Sequence, residues 1–137
     1  MVWPKRDAQP GNDASVVLDV STPDYRGLFL GDLGEEAQAR MLRSAALGRV
    51  DLVKVAHHGS ADQSERLYDE LGATVGVIGV GADNGYGHPT DRLLDLLRAD
   101  GTAIVRTDRS GTALLTADGG GFSLWSERDT AGVVGGP

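Results

Sequence analysis

Val50-Asp51-Leu52-Val53-Lys54-Val55-Ala56-His57-His58-Gly59-Ser60 is the stretch on which the reading of this chain turns. A β-branched, apolar run ends in two adjacent histidines, then a glycine and a serine, the pattern of a strand that runs out into a turn. Two of the three histidines of the protein stand there. The third, His88, lies in Gly85-Tyr86-Gly87-His88-Pro89-Thr90, behind a second apolar run at 75–80. Upstream, Gly27-Leu28-Phe29-Leu30 ends in Gly31-Asp32-Leu33-Gly34. Asp32, the histidine pair and His88 thus each follow a strand-like segment. Polar groups on loops at strand ends, held by a rigid sheet, are where α/β folds keep their chemistry.

Around these runs the pattern alternates. Strands are expected at 15–20, 26–31, 52–56, 75–80, 103–106, 111–116 and 121–125, with a strand stub at Val2-Trp3-Pro4. Between them, apolar residues at helical spacing (Ala37, Met41, Ala45) predict a helix over 35–47 that Gly48 ends. Further helices are expected at 64–71, with Ser64 as N-cap and Gly72 as stop, and at 89–98, with Leu93, Leu94, Leu96 and Leu97 inward. Pro10-Gly11-Asn12-Asp13 and Asp118-Gly119-Gly120 are turn chemistry. The order β-β-α-β-α-β-α-β-β-β argues for an α/β layered fold with antiparallel pairs at both ends. A domain over 1–126 and a frayed tail over 127–137 are expected.

Composition sets limits. The chain has 137 residues, enough for one domain or a large part of one. It has no cysteine, which excludes disulfides and thiolate zinc sites. Its formal charge of −7 gives no broad attraction for nucleic acid, so phosphate binding must be local or carried by a metal. No apolar run approaches the roughly 20 residues of a membrane span, and no signal peptide precedes the first strand. Gly76 to Gly81 does not meet the spacing of a dinucleotide-binding loop.

Five pieces in order carry a resemblance. They are Asn12-Asp13-Ala14-Ser15-Val16-Val17-Leu18, Gly31-Asp32-Leu33, Leu52 to Ser60, Gly81-Ala82-Asp83-Asn84-Gly85-Tyr86-Gly87-His88-Pro89, and Arg106-Thr107-Asp108. Together they resemble the C-terminal metallo-β-lactamase-like domain of the ComEC competence proteins, through which bacteria take up DNA. The likeness runs from about Trp3 to Trp125. It implies half of a metallo-β-lactamase-like αββα sandwich, a mixed sheet with helices on one face. The His-x-His-x-Asp-His motif that supplies most ligands of the two-metal site in such domains is missing here, so the chain looks like the second half.

The resemblance implies a metal-dependent phosphodiesterase or nuclease acting on single-stranded DNA, in the extracytoplasmic part of a cell-membrane protein. It matches Asp32 to a metal-bridging aspartate and one of His57 and His58 to a ligand of zinc or manganese. His58 is favoured as ligand, with His57 and His88 facing the phosphate as catalytic groups. Asp32 could instead serve the first turn of the following helix, and each histidine could hold loop backbone. With Asp32 and one histidine alone, metal binding is expected to be weak and the chain inactive until joined to its N-terminal half. A half sandwich is also expected to bare an apolar sheet face, which a homo-oligomer would cover. A non-catalytic α/β module serving as scaffold is the alternative.

Overall fold

The computed structural model describes residues 1–119 and 121–128, and the backbone of residues 132–134. Its elements are β1 Leu18–Ser21, β2 Arg26–Phe29, α1 Glu35–Ser44, β3 Leu52–Lys54, α2 Glu65–Leu71, β4 Val75–Ile78, α3 Asp91–Ala99, β5 Ala103–Arg106, a one-turn α4 Thr107–Ser110, β6 Ala113–Asp118, β7 Gly121–Ser126 and β8 Gly132–Val134. The first five strands form one sheet in the order β1-β2-β3-β4-β5. β1 runs antiparallel to β2, and every later neighbour is parallel. This is the mixed α/β architecture expected from the alternation of short apolar runs with amphipathic helices.

Because side chains alternate along each strand, the sheet has two faces with separate cores. On one face Leu28, Val53 and Ile78 pack against Ala37 and Met41 of α1, Leu67 and Leu71 of α2, and Leu93 and Leu97 of α3. Each of these leucines is almost fully buried, and such burial stabilises by about 1.5–3 kcal/mol per side chain. On the other face Leu52, Val75 and Val105 pack against Phe122, with Leu115 and Leu124 around it.

That second core corrects the expectation of a bare sheet face. β6, β7 and β8 form a separate antiparallel sheet, and its inner side covers the back of β3, β4 and β5. What stays open is the strip on β1 and β2, where the cross-strand pair Leu18 and Phe29 is exposed.

Boundaries differ from the sequence reading in instructive ways. The strand stub at Trp3 is a single antiparallel bridge to Val17. α1 ends at Ser44, and Gly48, with φ +62°, turns the chain only after Ala45, Ala46 and Leu47. Ser64 sits at the N-cap of α2, yet its side chain makes no capping bond. Gly72 does end α2, in the left-handed conformation that glycine adopts most readily. Of the expected tail, Glu127 and Arg128 are tied down: Glu127 accepts from the Thr112 amide at 3.0 Å, and the Arg128 amide donates to the Ser110 carbonyl at 3.1 Å. Residues 132–134 pair with β7; 129–131 and 135–137 lie outside the described residues.

Candidate functional site

Three parallel neighbours, β2, β3 and β4, deliver their following loops to one edge of the sheet. Gly31-Asp32 follows β2. The backbone of Gly31 has φ +57°, and a Cβ there would meet Ser15 and the Val16 carbonyl at 3.1 and 3.2 Å. That close approach lets the Asp32 amide donate to Ser15 Oγ at 3.2 Å. Asp32 does not cap α1. The carboxylate at that helix start is Asp62, whose Oδ1 accepts from the Glu35 amide at 3.2 Å.

The histidine pair is not on a strand. β3 ends at Lys54, and residues Ala56–Gly59 form a tight turn in which His57 (φ 46°) and His58 (φ 53°) both adopt left-handed backbone. Two consecutive non-glycine residues there are uncommon and costly, and such strain gathers at functional sites. The turn frees the pair from strand alternation. The two rings lie 6.5 Å apart, centroid to centroid, at the same edge. Gly59 makes the turn possible: with φ +87°, its Cα passes so close to α3 that an added Cβ would meet Pro89 Cβ at 2.5 Å. The Thr90 amide donates to the Gly59 carbonyl at 2.9 Å and ties this turn to the start of α3.

His58 is oriented from behind. Its Nδ1 lies 2.6 Å from the Gly79 carbonyl, which accepts only if Nδ1 carries the proton. The other nitrogen, Nε2, then faces Asp32 Oδ1 at 3.7 Å. A ring nitrogen held this way, with its partner nitrogen toward a carboxylate, is the arrangement of metal-binding histidines with a backbone second shell. Two ligands of one tetrahedral zinc, each at about 2.0–2.1 Å, would stand about 3.4 Å apart. The 3.7 Å separation of His58 Nε2 and Asp32 Oδ1 is close to that spacing. Among the described residues no group of three or more His, Cys, Asp or Glu side chains is placed to hold one.

His57 and His88 face each other with ring centroids 5.8 Å apart, and Tyr86 stacks on His88 at 6.2 Å. His88 Nδ1 is buried without a hydrogen-bond partner among the described residues. Burial, followed by the neighbouring His57 and His58, lowers its pKa from the usual 6.5. The structure therefore brings Asp32, His57, His58 and His88 together at one sheet edge.

Several neighbours escaped the sequence reading. Asn12, taken as part of a turn, lies with Nδ2 3.4 Å from His57 Nδ1. It is held there because Arg40 of α1 pairs with Asp13 at 2.6 Å and stacks over Trp3, whose indole donates to the Asp13 carbonyl. The recurrence of Asn12-Asp13-Ala14-Ser15 among the matching pieces was the available signal. Lys54 is mostly buried beside the site. Desolvation lowers its pKa while the charge of Asp32 opposes that shift, and its Nζ donates to the Val55 carbonyl at 2.7 Å.

Beneath the turn lies a buried amide network. Gln63 Nε2 donates to the Ala56 carbonyl at 3.0 Å, and Gln63 Oε1 accepts from Tyr68 Oη at 2.8 Å and from Gln38 Nε2 at 2.9 Å. Gln38 also donates to the Leu33 carbonyl at 2.6 Å and accepts from the Ser64 amide at 2.9 Å. The loops carrying Asp32 and the histidines are thus bolted to the same pair of side chains. On the far side Thr107 Oγ1 accepts from the Val80 amide at 2.7 Å and donates to the Val80 carbonyl at 2.8 Å, fixing the exit of β4.

Two competence proteins match the chain. Over 131 residues the chain is 29% identical to ComE operon protein 3 of Bacillus subtilis (strain 168), a match covering 93% of the chain and 17% of that protein. Over 102 residues it is 30% identical to competence protein ComA of Neisseria gonorrhoeae, covering 73% of the chain and 15% of that protein. The chain is related to these competence proteins and spans about a sixth of their length. No protein-family model matches it, and no solved structure does. Among the described residues no helix is long and apolar enough to cross a membrane.

Proposed function

We propose that this chain is the C-terminal part of a metal-dependent phosphodiesterase domain that acts on single-stranded DNA during uptake, as an extracytoplasmic part of a membrane protein. The observation that carries the reading is the 3.7 Å approach of His58 Nε2 to Asp32 Oδ1, with His57 and His88 on the same sheet edge. Zinc or manganese held between Asp32 and His58 would polarise a phosphoryl oxygen and lower the pKa of bound water. Asp32 and His58 keep their aim through Ser15 and the Gly79 carbonyl. His88, whose ring lies 5.8 Å from that of His57, would meet the phosphodiester through Nε2, because its Nδ1 is buried. Protonation of the leaving oxygen then falls to His57, steadied by Asn12.

Two ligands hold a divalent ion weakly at neutral pH. The isolated chain is therefore expected to bind metal weakly and to lack nuclease activity. The N-terminal half implied by the family resemblance would bring the remaining ligands and cover the strip at Leu18 and Phe29. A second copy of this chain is the other occupant for that strip, and sedimentation velocity distinguishes the two.

The test is a calorimetric titration with zinc and manganese, together with hydrolysis of single-stranded DNA, for this chain alone and mixed with a separately made N-terminal half. Weak binding abolished by Asp32→Asn or His58→Ala, with activity only in the mixture, is the expected result. A non-catalytic α/β module is the second reading, favoured by the fact that the described residues bring only two ligand atoms together. Metal binding unchanged in both variants, or no activity in the mixture, would establish it.

A further inference from the structure

β5 is the last strand of the large sheet, and its outer edge carries a second feature. A cavity of about 370 Å³ runs beside it, lined by Leu94 and Arg98 of α3, Ile104 and Arg106 of β5, and Arg109 of α4. In a chain of net charge −7, three arginines line one cavity; Asp95 and Asp108 offset two of their charges, which leaves that of Arg109. A fourth, Arg128, reaches the same corner through a hydrogen bond to the Asp108 carbonyl at 3.2 Å.

The carboxylates nearby do not use up these donors. Arg106 spends Nε and Nη2 on a two-pronged pair with Asp108, at 3.0 and 2.6 Å, which leaves Nη1. Arg98 gives Nη1 to Asp95 at 2.8 Å and keeps Nε and Nη2. Glu127 is engaged by the Thr112 amide. Arg109 makes no hydrogen bond or ion pair among the described residues, and its charge is felt at Asp108, whose carboxyl is held low chiefly by its bond to Arg106. A guanidinium presents five N–H donors in a planar fork, so each of the three keeps donors that these pairs do not use.

We propose that this cavity is an anion site that takes phosphate groups. The unused donors of three arginines lining one cavity exceed what the two oxygens of one carboxylate can satisfy, whereas a phosphoryl group or successive diesters present more acceptors. Leu94 and Ile104 supply an apolar wall against which a sugar can lie. The volume is at the small end of ligand pockets and suits a sugar phosphate. A chain of contacts links this rim to the histidines. Arg106 is followed by Thr107, which clamps Val80, and the neighbouring Gly79 carbonyl orients His58.

The same phosphate chemistry has two sources, a free phosphate and the backbone of a single-stranded nucleic acid. Only the second source rests on the function proposed above. The test titrates the metal-free protein, in chelator, with inorganic phosphate by NMR and with a fluorescein-labelled oligothymidylate by anisotropy. Arg98→Ala and Arg109→Ala remove exposed side chains outside both apolar cores. Arg66→Ala, on the mixed-charge face between α2 and α3, is the control.

The expected result is an oligothymidylate affinity roughly five- to tenfold weaker in each cavity variant, with the salt slope reduced by about one and Arg109→Lys partly restoring binding. Phosphate shifts confined to the cavity, without oligothymidylate binding, would support the site with a small phosphate as its ligand. Neither anion bound, or binding equal in wild type and both cavity variants, would overturn the proposal. Asp32→Asn should leave anion binding intact while removing metal binding, so the two readings fail separately.

Discussion

Gln63 is 2% exposed and holds the floor of the histidine turn. Replacing it by leucine, of similar length, strips the Ala56 carbonyl of its donor and the Tyr68 hydroxyl of its acceptor. Gln38 keeps its bond to the Leu33 carbonyl, so it loses only part of its pairing. Two newly unpaired buried groups cost about 1–3 kcal/mol each. Leucine returns about 1 kcal/mol through added apolar burial. The net loss is roughly 3 kcal/mol, a large share of the 5–15 kcal/mol typical of a domain. Equilibrium urea unfolding should show a lower midpoint at unchanged slope. Hydrogen exchange at the amides of residues 57–60 should accelerate more than exchange in β4, because the turn loses its anchor before the sheet opens. A loss below about 1 kcal/mol, or uniform exchange across the chain, would refute the assignment of this network as the support of the site.

Gly59→Ala places a Cβ against Pro89 at a positive φ, and should destabilise by about 2–4 kcal/mol or prevent folding, read by thermal unfolding. His88 has a lowered pKa, so the unfolded chain binds more protons as pH falls below the usual 6.5, and stability must drop in that range. His88→Asn should flatten this acid-side decline in a series of unfolding curves, and an unchanged pH profile would contradict the burial of that ring. Asp19 is held below its usual 3.8, first by its hydrogen bond from Arg26. Its stabilisation is present above that value and lost as pH falls through the lower folded one. Asp19→Asn should cost about 0.5–1 kcal/mol at pH 7 and nothing near pH 2, measured by denaturant unfolding at the two conditions.

Much of the architecture was legible because it is local. Short apolar runs followed by Asp32, by the histidine pair and by the loop of His88, alternating with helices that carry apolar stripes, argue for a layered α/β fold with polar groups at strand ends. The burial of Leu93, Leu94 and Leu97 follows directly from their spacing. What escaped depends on partners distant in the chain. The left-handed backbone of His57 and His58 is one such feature, because it depends on the turn closing against Pro89, which lies thirty residues from Gly59 by numbering. Asn12 looks like turn chemistry until Arg40 and Trp3 fix the turn against α1. Gln38 and Gln63 sit at polar positions that no periodicity marks as interior. The cover on the back of the sheet rests on Phe122 and Leu124 reaching strands far upstream.

The sheet order has a kinetic consequence. Every strand from β1 to β5 lies beside its neighbour in sequence, so no pairing in that sheet waits for a distant segment to arrive. Each closure spans one hairpin or one crossover, and its entropic cost rises only slowly with length. Such an order places the chain toward the fast end for proteins with parallel strands, with each new strand docking on an edge already formed. β1 and β5 are the two outer strands, so the rim that carries Arg106 and Thr107 is held in this sheet by a single neighbouring strand.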